Sequence, residues 1–404
     1  MLLLAASLAS PAKAADGISI ATGNPEGLYY AAGQAICRAL ALHPETASLP
    51  CKPAVTNGSI SNILGLNVEG PQFAIVQADV QFNAVSGLGL FEATGPDQDL
   101  RAVLSLHSEA FAVLVPADSK VNTFADLRGS RFSAGQVGTG TRETAEALFE
   151  VLKWTADDRA RLVDMAVGDQ AAALCGGKID AAAFLSGHPS PLIAALAGSC
   201  PVKLVQVPRE ASDQLAEKMV YYRPATIMPG TYPGNAQPVQ TVGLRTALVT
   251  SADVPVRTVR AVTEAVFRNL GTIRDAAPAF AYLRPDEMST SGLIAPLHPG
   301  ALEYYRAVGL PTPSVQIVPS GKSAIGDAHK PGLGTLKIDP KLQVPDAPSP
   351  GKVQKPAYNT IPVGPDDKWK LEAGDFGAKN PALTGDGDLP SAQDNIRLKI
   401  PAPN

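Results

Sequence analysis

A lysine- or arginine-rich stripe, a late apolar run, a histidine cluster and a close cysteine pair are all missing from this chain of 404 residues. Each absence removes a class of function. The formal net charge is -4 and no basic stripe carries interleaved aromatics, so the electrostatic footprint of a nucleic-acid-binding protein is lacking. Past the N-terminal segment, no stretch supplies the roughly 18 consecutive apolar residues that cross a bilayer. The five histidines, His43, His107, His188, His298 and His329, are dispersed. Without a His-x-x-x-His or Cys-x-x-Cys pair, no metal site is expected. No nucleophile elbow and no paired carboxylates at strand ends stand out, so neither an enzyme nor a cofactor is implied.

What is present is the composition of a soluble globular protein, 45% hydrophobic and 18% charged. The length exceeds one ordinary core, which predicts two lobes or more. Residues 1–15, from Met1-Leu2-Leu3-Leu4 to Ala12-Lys13-Ala14-Ala15, read as the end of a secretory signal peptide whose positive n-region is missing. No cysteine stands just after the cleavage point, so a lipid anchor is not indicated, and a soluble exported protein is expected. The even number of cysteines fits an oxidising compartment. Pairing Cys37, Cys51, Cys175 and Cys200 with their nearest neighbours would close two local loops, each stabilising by about 3 kcal/mol in the chain-entropy model. Four buried free thiols are the alternative.

From about Asp16 to about Leu310 the chain alternates strands and helices in the α/β manner. Helices are predicted at Leu28–Ala41, Ser59–Glu69, Ala78–Ser86, Arg142–Lys153, Asp157–Val163 and Val254–Leu270, among others. The last carries Val256, Val259, Val262, Val266 and Leu270 at helical spacing. Ala102–Pro116 (strand pieces Ala102–Leu106 and Ala110–Pro116) and Thr241–Thr250 are long apolar stretches that read as strands crossing between lobes. The second lobe, residues 114–243, would then be inserted into a first lobe made of 16–113 and 244–310. Such a two-strand connection permits hinge closure over a ligand. Residues 311–404 hold 15 of the 36 prolines and read as a Pro-rich extended or disordered tail.

Four junctions in the first two hundred residues run an apolar strand through a small polar turn into a helix. They lie at Gly23 to Tyr29, at Asn57-Gly58-Ser59, at Gln77-Ala78-Asp79 and at Gly138-Thr139-Gly140-Thr141-Arg142. Such junctions aim unpaired backbone N–H groups and the positive end of a helix dipole at one point, which suits a small anion. Thr139 and Thr141 offer hydroxyls, Arg142 a charge, and Ser59 is a natural N-cap. The plain alternative for each is an ordinary capped helix. Gln77 and Asp79 follow a strand at the carboxyl edge of an open sheet, where ligands enter. His188 in Gly187-His188-Pro189 follows the strand Ala181–Leu185, and a lone histidine there is more often structural.

In this order, these residues resemble the TAXI family of TRAP transporter solute receptors. The match runs from Thr22-Gly23 and Tyr29-Tyr30 through Gly33, Cys37, Cys51, Asn57-Gly58-Ser59, Asn62 and Gln77-Ala78-Asp79. It continues through Ala125-Asp126-Leu127-Arg128-Gly129, Gly138-Thr139-Gly140-Thr141-Arg142-Glu143-Thr144-Ala145, Gly187-His188-Pro189, Gly230-Thr231-Tyr232-Pro233-Gly234 and Leu297-His298-Pro299-Gly300-Ala301. The resemblance implies a periplasmic binding protein of type II-like fold, whose two α/β lobes close on a small organic anion. The anion would be a dicarboxylate or an acidic amino acid such as glutamate or 2-oxoglutarate, passed to TRAP transporter membrane subunits driven by an ion gradient. A monomer without metal or cofactor is expected. The implied ligand-binding residues are Gly23, Tyr29, Asn57, Gly58, Ser59, Gln77, Asp79, Gly138, Thr139, Gly140, Thr141, Arg142 and His188. The resemblance also favours the pairs Cys37–Cys51 and Cys175–Cys200. Glu26 and Ala78 depart from the family pattern, and residues 311–404 fall outside it. A periplasmic sensor and an exported enzyme on the same fold are the competing functions.

Overall fold

The computed structural model describes residues 17–68, 70–314 and 317. The expected signal peptide and nearly all of the proline-rich tail lie outside the described residues.

Among the described residues, one mixed sheet of nine strands carries the fold. The strands are β1 (Ile18–Ala21), β2 (Cys51–Ala54), β3 (Phe73–Gln77), β4 (Leu100–Pro116), β5 (Phe132–Ser133), β6 (Ala181–Ser186), β7 (Val202–Val205), β8 (Arg223–Ile227) and β9 (Val239–Ser251). Their order is β2-β1-β3-β9-β4-β6-β5, with β7 on β4 and β8 on β9. The two long strands change neighbours along their length. β9 pairs with β8 through Val239–Gly243, then with β3 through Thr246–Thr250. β4 pairs with β9 through Leu100–Ala110 and with β7 through Val113–Pro116. Each therefore belongs to one half of the sheet at one end and to the other half at the other.

The apolar residues of β4 show the same division. Leu100 and Ala102 face one core, and Val103, Leu104 and Leu106 another, on the two faces of the first half. Phe111, Val113 and Val115 enter a third, and Ala112 and Leu114 a fourth, on the two faces of the second half. Both faces of the strand are covered, so it reads as a near-continuous apolar run instead of an alternation. The polar interruption His107-Ser108-Glu109 lies where the halves meet. The ladder with β9 slips there by one residue, between Ser105 and Ser108, and such bulges redirect side chains next to binding sites.

The α/β, two-lobed class read from the sequence is the class observed. Several elements differ in detail. The expected strand pieces Ala102–Leu106 and Ala110–Pro116 are one strand, because backbone pairing runs on through the polar triplet. The helix expected at Asp157–Val163 is a single turn, Asp157–Arg159, after which Leu162 bridges to Phe132. β8 was not foreseen; it contains Pro224, which an edge strand tolerates because one side needs no N–H donor. Both disulfides form as the resemblance implied, Cys37–Cys51 and Cys175–Cys200, and no described cysteine is free. The first ties helix α1 (Leu28–Ala41) to β2, and the second ties helix Val167–Cys175 to the end of helix Pro191–Ser199.

Candidate functional site

Three strands of the first half end side by side, and their turns are knitted together by one buried amide. Asn62 Nδ2 donates to Thr22 O after β1 and to Ile75 O in β3, at 2.7 Å each, while Thr56 Oγ1 after β2 donates to Asn62 Oδ1 at 2.5 Å. Asn62 sits on helix α2 (Ser59–Leu66) and is fully buried, so its hydrogen bonds are made away from water's competition. Gly58, at φ +99°, occupies the N-cap of α2, and Thr56 Oγ1 accepts from its N–H at 3.1 Å. The expected cap Ser59 is instead the first helical residue, which frees its hydroxyl for the cleft.

The freed hydroxyl joins a polar network. Ser59 Oγ accepts from Gln77 N at 3.2 Å and lies 3.3 Å from Tyr29 Oη. The Tyr29 hydroxyl also donates to Glu109 Oε2 at 3.4 Å, and Gln77 Nε2 donates to the same oxygen at 2.8 Å. Burial, and next the charge on Glu109, hold the Tyr29 phenol well above its usual titration range, so it stays a hydrogen-bond donor. Gln77 Oε1 is buried without a hydrogen-bond partner.

The second half supplies the opposing wall. Gly135 and Gly138, at φ +91° and +85°, turn the chain into helix α4 (Gly140–Val151). Thr139 caps that helix: its Oγ1 accepts from Arg142 N at 3.4 Å and donates to Gln136 O at 2.7 Å. Thr141 Oγ1 accepts from Leu185 N of β6 at 3.3 Å, fastening the helix start to the sheet. Gly140 lies under the Gln77 amide of the first half, so closely that an added Cβ would overlap Gln77 Oε1.

Between the two walls lies a cleft of about 430 Å³. Gly23, Tyr29, Asn57, Gly58, Ser59, Gln77, Thr139, Gly140 and Thr141 line it, all from the expected set. Residues 20–309 match the NMT1-like family model. The chain belongs to the NMT1-like family. Solved structures with a similar chain path include one described as a periplasmic transporter, at TM-score 0.44 and 16% identity, covering 67% of this chain and 88% of that one. Another is the periplasmic aliphatic sulphonate binding protein SsuA from Escherichia coli, at 0.40 and 14%, covering 74% and 80%. A third is the GluR0 ligand-binding core from Nostoc punctiforme in complex with L-glutamate, at 0.39 and 15%, covering 65% and 98%.

Four of the expected residues of this NMT1-like chain stand outside the cleft lining. Arg142 is turned along its own helix, its Nε donating to Glu146 Oε1 at 2.7 Å. His188 Nδ1 lies 2.6 Å from Tyr232 Oη and its Nε2 lies 3.0 Å from Ala110 O. That histidine is a tie between β4 and the loop at Tyr232, as a lone histidine at a strand end often is. Gly138 shapes the turn before α4 without lining the cleft. Asp79, in the first turn of helix α3 (Ala78–Ser86), accepts from the Tyr222 hydroxyl at 3.1 Å and so bridges the two halves beside the cleft. Burial, then the Glu143 charge, push its carboxyl up to about 8.

Among the lining residues outside the expected set, Glu109 is the buried carboxylate. Glu109 is 4% exposed and reaches the cleft directly after the bulge in β4. Its signal was a carboxylate inside an otherwise apolar strand. Chemically, the site presents hydroxyls and helix starts on both walls, which can hold a carboxylate, and a buried carboxylate where the two halves of the sheet meet. Among the described residues, no cluster of His, Cys, Asp and Glu could hold a metal ion, and no helix is long and apolar enough to cross a membrane.

Proposed function

We propose that this chain is an extracytoplasmic solute receptor of the TAXI type, exported to the periplasm. In this reading it binds a small organic anion, a dicarboxylate or an acidic amino acid such as glutamate or 2-oxoglutarate, between its lobes. It acts as a monomer that hands the solute to TRAP transporter membrane subunits, and it catalyses no reaction. The observation that carries the reading is the convergence of turns from both halves of the sheet on one cleft of about 430 Å³, spanned behind by only two strands.

The solute carboxylate would take donors from Ser59, Asn57, Thr141 and the backbone at the starts of α2 and α4, whose dipoles favour negative charge. Tyr29 would pack on the carbon chain. The lobes in this proposal are residues 16–113 with 244–310, and 114–243, rotating about β4 and β9.

A thermal-shift screen of small carboxylates and amino acids tests the reading. A solute at one hundred times its Kd stabilises the native state by about 2.7 kcal/mol, which raises the midpoint by roughly 3–4 °C for a chain this size. A panel of dicarboxylates, 2-oxo acids and acidic amino acids that leaves the midpoint unmoved at millimolar concentration rules the reading out.

A further inference from the structure

We propose that Glu109 determines solute specificity: its carboxylate, held by Gln77 and Tyr29, is an acceptor pole for an ammonium group. The preferred solute is then an α-amino acid, not the 2-oxo acid of the same carbon skeleton. This inference rests on the receptor reading above and deepens it.

Three observations converge. First, the lining is charged in one sense only. Glu109 and the rim residue Asp169 line the cleft, and no Lys, Arg or His does. A dicarboxylate entering there would bring like charge against a desolvated carboxylate with no lining cation to offset it. An ammonium group brings the opposite charge.

Second, the carboxylate is held in place and incompletely matched. Its Oε2 accepts from Gln77 Nε2 at 2.8 Å and from the Tyr29 hydroxyl at 3.4 Å. Its Oε1 accepts no hydrogen bond among the described residues and lies 3.7 Å from the buried His107 Nε2, within ion-pair distance. A carboxylate accepts up to about four hydrogen bonds, so it retains capacity.

Third, the amide that holds the carboxylate has one orientation. Gln77 is 4% exposed, and its Oε1 is buried with no hydrogen-bond partner. Reversing the amide would set an oxygen against the Glu109 carboxylate, so the network fixes the free atom as an acceptor. With Gln77 Oε1 lying against Gly140, the Glu109 carboxylate is the acceptor left to the cleft, and an ammonium has three protons to give. The hydroxyls and helix starts of Ser59 and Gly140 are left for the carboxylate of the same solute, which is the charge pattern of an α-amino acid.

Calorimetric titration of the full chain tests this with matched probes: L-glutamate against 2-oxoglutarate, L-alanine against pyruvate, and L-leucine against 4-methyl-2-oxopentanoate. The expected result is at least a tenfold preference for the amino acid in whichever pair binds, and at least a tenfold fall in that preference for Glu109→Gln. The wild-type preference needs no variant, so a Glu109→Gln protein that fails to fold still leaves a deciding measurement. An oxo acid that binds as tightly as its amino acid overturns the inference while leaving the receptor reading standing. A preference that survives Glu109→Gln unchanged does the same. Binding of no probe in any pair overturns the inference, and the receptor reading then stands or falls on the wider thermal-shift panel.

Discussion

Asp79 and Glu143 are acids that titrate far from their usual range. Burial, then the charge on Glu143, push Asp79 to about 8; burial, then the charge on Glu146, push Glu143 to about 7. In the unfolded chain both return to the ordinary carboxylate range near 4. Between about pH 4 and pH 8 the native state therefore binds more protons than the unfolded state, and stability falls as pH rises through that window. The slope cannot exceed about 1.4 kcal/mol per pH unit for each proton. Thermal midpoints measured from pH 5.5 to 8.5 should decline, and Asp79→Asn should flatten much of that decline. An unchanged slope in the variant would place the titration elsewhere. At this same scale the sequence was partly readable. Ser59, Thr139 and Gln77 could be named because turn chemistry is local. The turn of Arg142 toward Glu146, four residues on, and the burial of Glu109 depend on side-chain packing that no local pattern records.

Elements were more legible than contacts between them. The strand-to-helix junctions stood out because glycines, caps and apolar runs lie within a few residues of each other. The pairing of β4 with β9, and hence the bulge that presents Glu109, joins positions over a hundred residues apart. Gly140 shows how such a contact can be tested. Its backbone is not left-handed, so alanine there would favour α4 by up to about 1 kcal/mol in isolation. The new methyl would instead strike the Gln77 amide from the other lobe. Gly140→Ala should therefore keep or raise the thermal midpoint of the solute-free protein while weakening solute binding at least tenfold. Repeating the change in a Gln77→Ala background should remove most of that loss, since coupled neighbours are non-additive. The disulfides act on elements too. Their separations of 14 and 25 residues correspond to about 3 and about 3.5 kcal/mol in the chain-entropy model. Replacing either pair by serines should lower the denaturation free energy by about that amount, and a loss under 1 kcal/mol would argue against the entropic account here.

For the whole molecule, the question is what holds the two halves together over the cleft. Besides the Gln77–Gly140 approach, the contacts beside it include Asp79 with Tyr222, Asn83 Nδ2 donating to Glu143 Oε2 at 3.3 Å, and the Phe82 ring 5.2 Å from that of Tyr221. The Tyr222 hydroxyl is the joint: it donates to Asp79 Oδ2 at 3.1 Å and lies 3.2 Å from Thr144 Oγ1. Tyr222→Phe keeps the ring in its buried place and removes the hydroxyl with both of its contacts, to Asp79 and to Thr144. It leaves Asp79 without its partner across the gap, at a cost of about 1–3 kcal/mol to the closed arrangement. If the lobes open and close, that cost falls on the closed state alone, because an open cleft returns Asp79 to water. The apparent Kd scales inversely with the closed, competent fraction. A closed state that dominates in the wild type absorbs part of the cost before affinity suffers, so the expected rise in Kd is about 3- to 100-fold. Small-angle scattering of the solute-free variant should show a larger radius of gyration than the wild type, and saturating solute should bring the two together. A variant that loses stability but keeps both its affinity and its wild-type dimensions would mean that the lobes are fixed, and that the cleft selects its solute without closing.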